Sequence, residues 1–534
     1  MIKIGGTEMK KRWIALFLAA MTVSLAACGN SGGSAAKSGA PAASGTVDSS
    51  AAEGGSSGAV QASADPSDWP VIRAEVSAFT DTLEQKDAVQ DALNQYLVSI
   101  NAGVQCEMVP LAFGDRSTQL TLMLTDADNP IDLFGWRFYS SVSDLVKNGQ
   151  IISLEKYRDV YPDLWKLYPE TVYKTCQING EQYSMPGADS FGNYQVYALR
   201  KDLAKEIGVD NLAGTKITRE QYEDILAKAE AAHPEMAWEG ETMVWPYMNV
   251  DNLGDTNALG VLPDMGVDQD KIINYYSSDE FKDYVEMCKG WADKGYIIDD
   301  PLNTQRIGTT LVTNNQIGGY MFEAYNIEYA ESLMQAQIPD YEMDIFQLTD
   351  PHCTNSCVYT GWNISSICKN PDAAMKLLSL MMTDENVSRF FTLGVKGLTY
   401  VVDDKGIARY PEGKDANTDG WNLGAPWFYP NQCLSIPFNT DYTGYYTDMK
   451  ACWTDPNMKY SKAMGFIFDT TPVYDQYTAC TAIVAEYRDA LMLGQVDVDE
   501  YLAKFNDELN KAGIDQVIAE MQKQYDAFLQ ENGK

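Results

Sequence analysis

Between residues 69 and 135, the spacing of apolar positions switches between a pattern typical of strands and a pattern typical of helices. The runs WPVIRAEVSAF (69–79) and VQCEMVP (104–110) alternate as β-strands do, and IDLFG (131–135) is a short apolar strand. Between the first two runs, one helical face carries the apolar residues Val89, Leu93, Tyr96, Leu97 and Ile100. STQLTLMLT (117–125) predicts the next helix. Strand, helix, strand, helix, strand is the order of a doubly wound α/β sheet.

In such sheets, ligands sit at the carboxyl ends of the strands. Asp81 follows the first predicted strand, and Trp136 and Arg137 follow the third. We therefore expect these three side chains among the ligand contacts. Asp81 also suits a helix cap or a turn.

Capping and turn residues predict further elements along the chain. Thr218 with Gln221 three residues later forms a capping-box arrangement, and Pro371 suits the first position of a helix. NNQIGGYMFEAYN (314–326) predicts a strand that ends in a loop. Three helices are predicted from Val473 to the end.

Composition indicates two folded lobes with many aromatic side chains. Of 534 residues, the first ~65 have the wrong composition for a core, and the remaining ~470 are too many for one core. The chain carries 11 Trp and 32 Tyr, enough to supply both cores and a binding cleft. Trp291 and Phe390 lie on apolar helix faces and are expected in the cores.

Residues 1–27 have the layout of a secretory signal peptide. A basic region at residues 10–12 precedes an apolar stretch at 13–27, which is too short to span a hydrocarbon core of ~30 Å. Cys28 follows small residues in LAAC (25–28), which favours cleavage before it and attachment of lipid to it. An ordinary signal peptide with an incidental cysteine is the alternative. The Gly-, Ser- and Ala-rich stretch from Cys28 to residue 68 predicts a flexible tether.

Charge and cysteine usage exclude several classes of partner. The formal net charge is −35, and loss of residues 1–27 leaves 36 basic and 74 acidic side chains, a net charge of −38. Such a field repels nucleic acid and anionic lipid. Apart from Cys28, nine dispersed cysteines remain, an odd number that indicates buried free thiols rather than a disulfide framework.

Motifs for catalysis, metals and cofactors are weak. His233 and His352 are the only histidines, and HCTNSC (352–357) lacks a fourth ligand at zinc-site spacing except Cys368. GADSFGNY (187–194) has no Lys at the phosphate-loop position. DANTDG (415–420) imitates half of a calcium loop but is more typical of an Asx-rich turn. We expect no catalytic residue, cofactor or metal.

A resemblance to a known family is carried by order and spacing from about residue 70 to the end. LAAC with the tether, DADNPIDLFGW, KNGQIISLEKY, YSMPGADSFGNYQVYALRKDL and WADKGYIID together resemble the extracellular solute-binding proteins, family 1, of ABC importers. NPDAAMKLLSLMMTDENVSRFFTLGVKGLTYVV, GFIFDTTPV and the tail after residue 483 resemble the LipO-type lipoproteins, whose C-terminal segment is a domain of unknown function. LAAC resembles the lipobox, in which the cysteine is acylated.

The resemblance implies a type II periplasmic-binding-protein fold, with two doubly wound α/β lobes, a ligand cleft between them and a helical C-terminal segment. Lobe 1 would comprise residues 69–190 and about 358–440, and lobe 2 residues 191–357 and about 441–534. The chain would cross between the lobes near 183–199 and return near 359–365. It implies a monomeric lipoprotein on the outer face of a bacterial membrane, which delivers a carbohydrate, most often an oligosaccharide, to the permease subunits of an ABC importer.

A neutral sugar needs flat aromatic side chains for its C–H faces and polar side chains for its hydroxyls. Aromatic residues beside polar ones in predicted loops fit this need. The predicted ligand contacts are Asp81, Trp136, Arg137, Asn193, Tyr194, Trp245, Glu323, Tyr325, Trp362, Asn363 and Trp421. Two other functions stay open: a tethered glycoside hydrolase, which needs two carboxylates at fixed separation, and a peptide- or signal-binding lipoprotein.

Overall fold

A computed structural model describes residues 65–78, 83–137, 139–178, 180–239, 249–303, 308–338, 340–355, 357–358, 360–415, 418–421 and 426–533. The predicted signal peptide, Cys28, the predicted tether up to residue 64, Asp81 and Trp245 lie outside these residues. Within the described chain, no helix has the length and apolar character needed to cross a membrane.

The first part of the described chain alternates strands and helices as the sequence predicts. Its elements are β1 (Val71–Ala78), α1 (Lys86–Ser99), β2 (Gln105–Ala112), α2 (Arg116–Met123), β3 (Leu133–Gly135), α3 (Val142–Lys147), α4 (Glu170–Lys174), β4 (Gln177–Ile178), β5 (Glu181–Gln182) and β6 (Met185–Pro186).

The second part forms another set of strands and helices. Its elements are β7 (Tyr194–Arg200), α5 (Lys201–Glu206), α6 (Arg219–Ala232), β8 (Val250–Asp251), β9 (Gly260–Pro263), β10 (Ile273–Asn274), α7 (Asp279–Asp293), α8 (Gly308–Thr313), β11 (Gly319–Ala324), α9 (Ile327–Gln337), β12 (Met343–Gln347) and β13 (His352–Cys353). Helix α6 starts with the predicted capping box, since Gln221 N donates to Thr218 Oγ1 and Thr218 N donates to Gln221 Oε1.

The third part returns to the first lobe and ends in the predicted helical tail. Its elements are β14 (Gly361–Ile364), α10 (Pro371–Thr383), α11 (Glu385–Thr392), β15 (Val401–Val402), β16 (Ala408–Arg409), α12 (Tyr445–Ala451), β17 (Lys459–Tyr460), α13 (Tyr474–Met492), α14 (Val498–Ala512) and α15 (Ile514–Glu531). Pro371 is the first residue of α10, as predicted.

Lobe 1 is built on a five-stranded sheet with the order β2-β1-β3-β14-β6. Strands β1, β2 and β3 run parallel, and β14 lies antiparallel between β3 and β6. Alternate residues Ile72, Ala74 and Val76 of β1 are fully buried in the core on one face. The parallel strands therefore end at one edge of the sheet, which is where the sequence predicts ligand contacts.

Lobe 2 differs from the parallel pattern, because β7 pairs antiparallel with both β11 and β12. A second small sheet has the order β10-β9-β8. Helices α13 and α14 pack on α7, and α15 packs on β9 and β10. Their apolar faces complete the lobe 2 core together with Trp291 of α7, which is buried as predicted. The C-terminal helices thus pack against the lobe 2 core.

Three segments cross between the lobes side by side. Residues 187–193 join β6 to β7, and residues 348–360 join β12 to β14. Asn193 N donates to His352 O at 3.3 Å and His352 N donates to Asn193 O at 3.1 Å. The third segment joins α12 to α13 through residues 452–473, and its strand β17 pairs with β13 of the second segment. The predicted lobe boundary at residue 441 stays a prediction, and Tyr446 and Met449 beyond it pack in the lobe 1 core.

All nine described cysteines are free thiols. Seven of them are buried, and Cys368 and Cys452 are partly exposed. No three His, Cys, Asp or Glu side chains of the described ranges come close enough together to hold a metal ion.

Candidate functional site

Aromatic and charged side chains follow the ends of the lobe 1 strands. Phe113 comes directly after β2, and Trp136 and Arg137 come directly after β3. All three are partly exposed. Trp136 Nε1 has no hydrogen-bond partner among the described residues. The parallel sheet therefore brings these side chains together at one edge.

A loop from the third part of the chain covers this edge, and we name residues 426–434 the strap. The ring of Phe428 lies against Gly135, since a Cβ added at Gly135 would come within 2.9 Å of Phe428 Cζ. Trp362 Nε1 donates to Phe428 O at 2.9 Å, and Ala188 N donates to Pro430 O at 2.9 Å. The strap is thus fixed to β3, β14 and the first crossing.

The strap adds an aromatic platform to the edge. Trp427 stacks on Phe113 with ring centroids 5.9 Å apart and an interplanar angle of 14°. Trp427 is partly exposed. Its flat indole has the size and polarity that a sugar face requires, because it combines an apolar surface with an N–H donor.

Asp189, in the first crossing, interacts with charged side chains from both lobes. Burial raises the pKa of Asp189 to about 6, against the opposing effect of hydrogen bonds from Ser190 and the charge of Arg137. The charge of Glu323 raises this pKa further. Asp189 Oδ1 accepts the Ser190 N–H at 2.7 Å. Residues from lobe 1, the crossing and lobe 2 therefore act on one another here.

Glu323 supplies the lobe 2 side of this cluster. It lies near the end of β11 and is exposed, and Gln195 Nε2 of β7 donates to its Oε1 at 2.9 Å. Arg137, Asp189 and Glu323 together present one cationic and two anionic groups where the lobes meet. Such groups form directed hydrogen bonds to hydroxyl groups of a ligand.

Three predicted ligand contacts are core residues instead. Trp362 and Asn363 are 0% exposed, and Trp421 is 2% exposed. Asn363 Nδ2 donates to Phe134 O at 3.3 Å, within the sheet. The prediction that these three side chains contact a ligand is corrected, because the strap and the residues leading to it cover the end of β14.

Two predicted contacts pack between elements, and one lies in a crossing. Tyr325 is buried, stacks on Tyr329 at 4.3 Å and donates from Oη to Tyr445 O at 2.8 Å. Tyr194 is buried in a lobe 2 core. Asn193 Oδ1 accepts a hydrogen bond from Ser190 Oγ at 2.7 Å in the first crossing. Tyr194 and Tyr325 are therefore corrected from ligand contacts to packing residues.

Sequence reasoning missed Phe113, Asp189 and Trp427. Phe113 directly follows a predicted strand, which was a usable signal. Asp189 lies in the predicted crossing, but its raised pKa depends on residues from both lobes. Trp427 lies in a loop-rich region, and only the folded chain brings it onto Phe113.

A separate groove of about 750 Å³ lies between α3 and the end of α15. Val146, Phe466 and Phe528 form part of its lining. Lys147 Nζ donates to Thr471 Oγ1 at 3.1 Å and joins lobe 1 to the lobe 2 side. Within the described chain, none of the ligand contacts proposed above lines this groove.

Comparison with known families decides the class of the protein. A family model described as bacterial extracellular solute-binding protein matches residues 91–414, more than half of the chain. The chain belongs to this family of bacterial extracellular solute-binding proteins. A second model, a domain of unknown function termed DUF3502, matches residues 462–530, which include α13, α14 and all but the last residue of α15. Both matches confirm the family resemblance found in the sequence.

Relatives of this solute-binding protein have been described in other bacteria. It is 24% identical over 491 residues, 90% of this chain and 95% of the relative, to a carbohydrate ABC transporter substrate-binding protein of Streptococcus pneumoniae. Its fold is similar to that of the N-glycan transport solute binding protein of Streptococcus pneumoniae, with a TM-score of 0.73, 21% identity, and coverage of 87% of this chain and 100% of that chain. An HMO-binding solute binding protein of Bifidobacterium longum infantis gives a TM-score of 0.58 at 16% identity, with 86% and 99% covered. These likenesses confirm the two-lobed solute-binding fold.

Asp189 predicts how the stability of this solute-binding protein depends on pH. Because its pKa rises from 3.8 to about 6 on folding, the folded state binds this proton more tightly than the unfolded state. The resulting stabilisation is complete below about pH 4 and is lost as the pH rises through 6. Asp189→Asn removes the ionised form of this side chain. We therefore expect the melting temperature of the variant, relative to that of the wild type, to be higher at pH 7.5 than at pH 4.5.

Thermal unfolding at pH 4.5 and pH 7.5 measures this effect. Asp128→Asn is the control, because Asp128 is exposed in a loop. Its difference from the wild type is expected to be the same at both pH values. If Asp189→Asn behaves like this control, Asp189 does not titrate as described.

Proposed function

We propose that this solute-binding protein captures an oligosaccharide between its lobes and delivers it to the permease of an ABC importer. The observation that carries the proposal is the Arg137, Asp189 and Glu323 cluster, which joins lobe 1, the first crossing and lobe 2. The Trp427 platform stacks on Phe113 at the edge of the lobe 1 sheet that also carries Arg137. A ligand held by all of them favours the closed arrangement of the lobes. Binding therefore shifts the hinge equilibrium toward closure.

The composition of the site supports an uncharged, polar ligand. Charged groups of both signs lie beside partly exposed aromatic rings, and the chain carries a formal net charge of −35. A strongly anionic ligand would meet an unfavourable overall field. Neutral oligosaccharides suit such a site, since their apolar faces can stack on aromatic rings and their many hydroxyl groups can bond to the charged side chains. The carbohydrate and N-glycan names of the relatives point to the same class of ligand.

A panel of oligosaccharides tests the proposal. Melting temperature is measured with Man5GlcNAc, with neutral milk-type oligosaccharides, with maltooligosaccharides and with tripeptides, and each hit is followed by isothermal titration. We expect a thermal shift with at least one class of oligosaccharide and none with tripeptides. A shift with peptides alone would overturn the carbohydrate assignment and favour a peptide-binding lipoprotein.

One observation also suits an enzyme. Asp189 and Glu323 are two carboxyl groups at one site, and the pKa of Asp189 is raised, as in a general acid of a glycoside hydrolase. Mass spectrometry of the titrated oligosaccharides separates the two functions. We expect no shorter products after prolonged incubation, because the proposed role is capture without turnover.

We further propose that the protein is anchored outside the cell by lipid on Cys28. One acyl chain binds membranes only marginally, so stable anchoring needs more than one chain on this residue. Cys28→Ser is expected to release most of the protein from the membrane fraction into the soluble extracellular fraction. Immunoblots of both fractions measure this, with Cys480→Ser as the control because Cys480 lies buried in the lobe 2 core. Retention of the Cys28→Ser protein in the membrane would contradict lipid anchoring.

A further inference from the structure

A buried ion pair lies under the ligand-facing edge of lobe 1. Glu75 of β1 is 0% exposed and Arg116 of α2 is 1% exposed. Arg116 Nη2 donates to Glu75 Oε2 at 3.0 Å, and Arg116 Nε donates to Glu75 Oε1. Ser77 Oγ also donates to Glu75 Oε1. The charges are thus paired in a fixed, bidentate geometry.

Burying two charges is costly, and a well-packed apolar pair at the same place would often be as stable. The remaining hydrogen bonds of Arg116 indicate what the pair does. Arg116 Nη1 donates to Arg137 O at 2.5 Å, and Arg116 Nη2 donates to Gly135 O. Gly135 O belongs to the peptide group before Trp136, and Arg137 O belongs to the peptide group after Arg137. The guanidinium therefore holds the backbone of the segment that carries two proposed ligand contacts.

Glu75 also bonds to this segment. Gly135 N donates to Glu75 Oε2 at 3.0 Å. The N–H and the carbonyl of Gly135 are thereby bonded to the two members of one ion pair. This arrangement fixes the peptide groups on both sides of Gly135. The ion pair therefore constrains the directions in which the side chains of Trp136 and Arg137 leave the end of β3.

Arg116 also contacts the strap. Its Cζ lies 5.0 Å from the ring centroid of Phe428, a cation–π distance. Phe428 packs edge-on against Phe113 with centroids 5.5 Å apart. Trp427 is the neighbouring residue and stacks on the same Phe113. One guanidinium therefore supports both the polar contact after β3 and the aromatic platform of the strap.

We propose that Arg116, held by Glu75, is a positioning residue that sets the orientation of Trp136, Arg137 and Trp427 for ligand binding. The inference rests on the proposed function, because it assigns these three side chains to the ligand. Lysine at position 116 would keep the charge but lack the planar fork that bonds the carboxylate and both carbonyls at once. The proposal therefore predicts a loss of affinity that is separate from the loss of stability.

The test compares Arg116→Lys with Arg73→Lys. Arg73 lies near the start of β1, the strand that carries Glu75, and pairs with Glu107 at 3.2 Å. Its partner is half exposed, and the pair lies toward the opposite end of the strand from the ligand-facing edge. Two measurements are made on the full chain: affinity for the oligosaccharide selected by the panel, and ¹⁹F NMR of protein labelled with 5-fluorotryptophan. Resonances of Trp136 and Trp427 are assigned with single Trp→Phe variants.

We expect Arg116→Lys to weaken affinity by about tenfold or more and to move or broaden the Trp136 and Trp427 resonances. Arg73→Lys is expected to bind the oligosaccharide with an affinity within about twofold of the wild type and to leave the Trp136 and Trp427 resonances at their wild-type positions. Unchanged resonances and unchanged affinity in Arg116→Lys, with only a lower melting temperature, would overturn the proposal.

Two further variants keep the test decisive. If Arg116→Lys does not fold, Glu75→Gln and Phe428→Leu replace it. Glu75→Gln keeps an acceptor for Arg116, and Phe428→Leu removes the ring under the guanidinium. The expected and the contradicting results are the same as for Arg116→Lys. If the wild type binds no oligosaccharide, the proposed function fails, while movement of both resonances still supports the positioning role of Arg116.

Discussion

Removal of residues 474–534 is expected to leave a chain that does not fold into a stable monomer. Five side chains of the C-terminal helices, Val484, Leu491, Phe505, Val517 and Met521, are fully buried in the lobe 2 cores. Burial of such side chains contributes about 2 kcal/mol each. Their sum of about 10 kcal/mol is comparable to the whole stability of a typical protein, 5–15 kcal/mol.

A point substitution gives the graded form of this prediction. Phe505→Ala is expected to lower the free energy of unfolding by about 3–5 kcal/mol, because it leaves a cavity among rings that include Tyr276 and Tyr487. Tyr474→Ala, at the exposed start of α13, is expected to change it by less than about 0.5 kcal/mol. Urea unfolding measures both. A soluble, cooperatively folding truncated chain would contradict the assignment of these helices to lobe 2.

Trp427→Ala is expected to weaken oligosaccharide binding by about tenfold or more, which corresponds to a loss of at least ~1.4 kcal/mol of binding free energy. The substitution removes the partly exposed ring that stacks on Phe113, while the contacts of Phe428 with Phe113 and Trp362 stay in place. Stability should change little, because Trp427 is only partly buried. Isothermal titration measures the affinity.

Trp165→Ala is the matched control for this loss. Trp165 is also partly buried in lobe 1, but it lies under the Arg158 guanidinium, away from the strand ends. Its removal is expected to leave the affinity unchanged. Equal losses in the two variants would mean that Trp427 acts through the folding of lobe 1 and not through the ligand.

Local sequence patterns predicted much of the fold. Alternating residues placed β1 and β2, the capping residues Thr218 and Gln221 placed the start of α6, and Pro371 placed the start of α10. These signals succeed because each depends on neighbours within a few residues. The antiparallel pairing of β7 with β11 and β12 joins residues more than 100 positions apart and left no such local signal.

The candidate site was predicted less completely, for the same physical reason. Trp136 and Arg137 were predicted because they directly follow a strand of a parallel sheet, and their contact with a ligand stays a prediction. Trp362 also adjoins a strand end, but the strap folds back over it from a distance of more than 60 residues and buries it. The raised pKa of Asp189 arises mainly from its burial in the folded chain, which the charge of Glu323 reinforces and the charge of Arg137 opposes.

Small-angle X-ray scattering with and without a saturating oligosaccharide tests closure of the lobes on the ligand most directly. The ligand is the strongest binder of the oligosaccharide panel, and Trp427→Ala at the same ligand concentration is the control. The account predicts a smaller radius of gyration for the wild type with ligand, and a smaller change or none for Trp427→Ala. A wild-type radius that stays the same while the oligosaccharide is bound at a 1:1 ratio would contradict it.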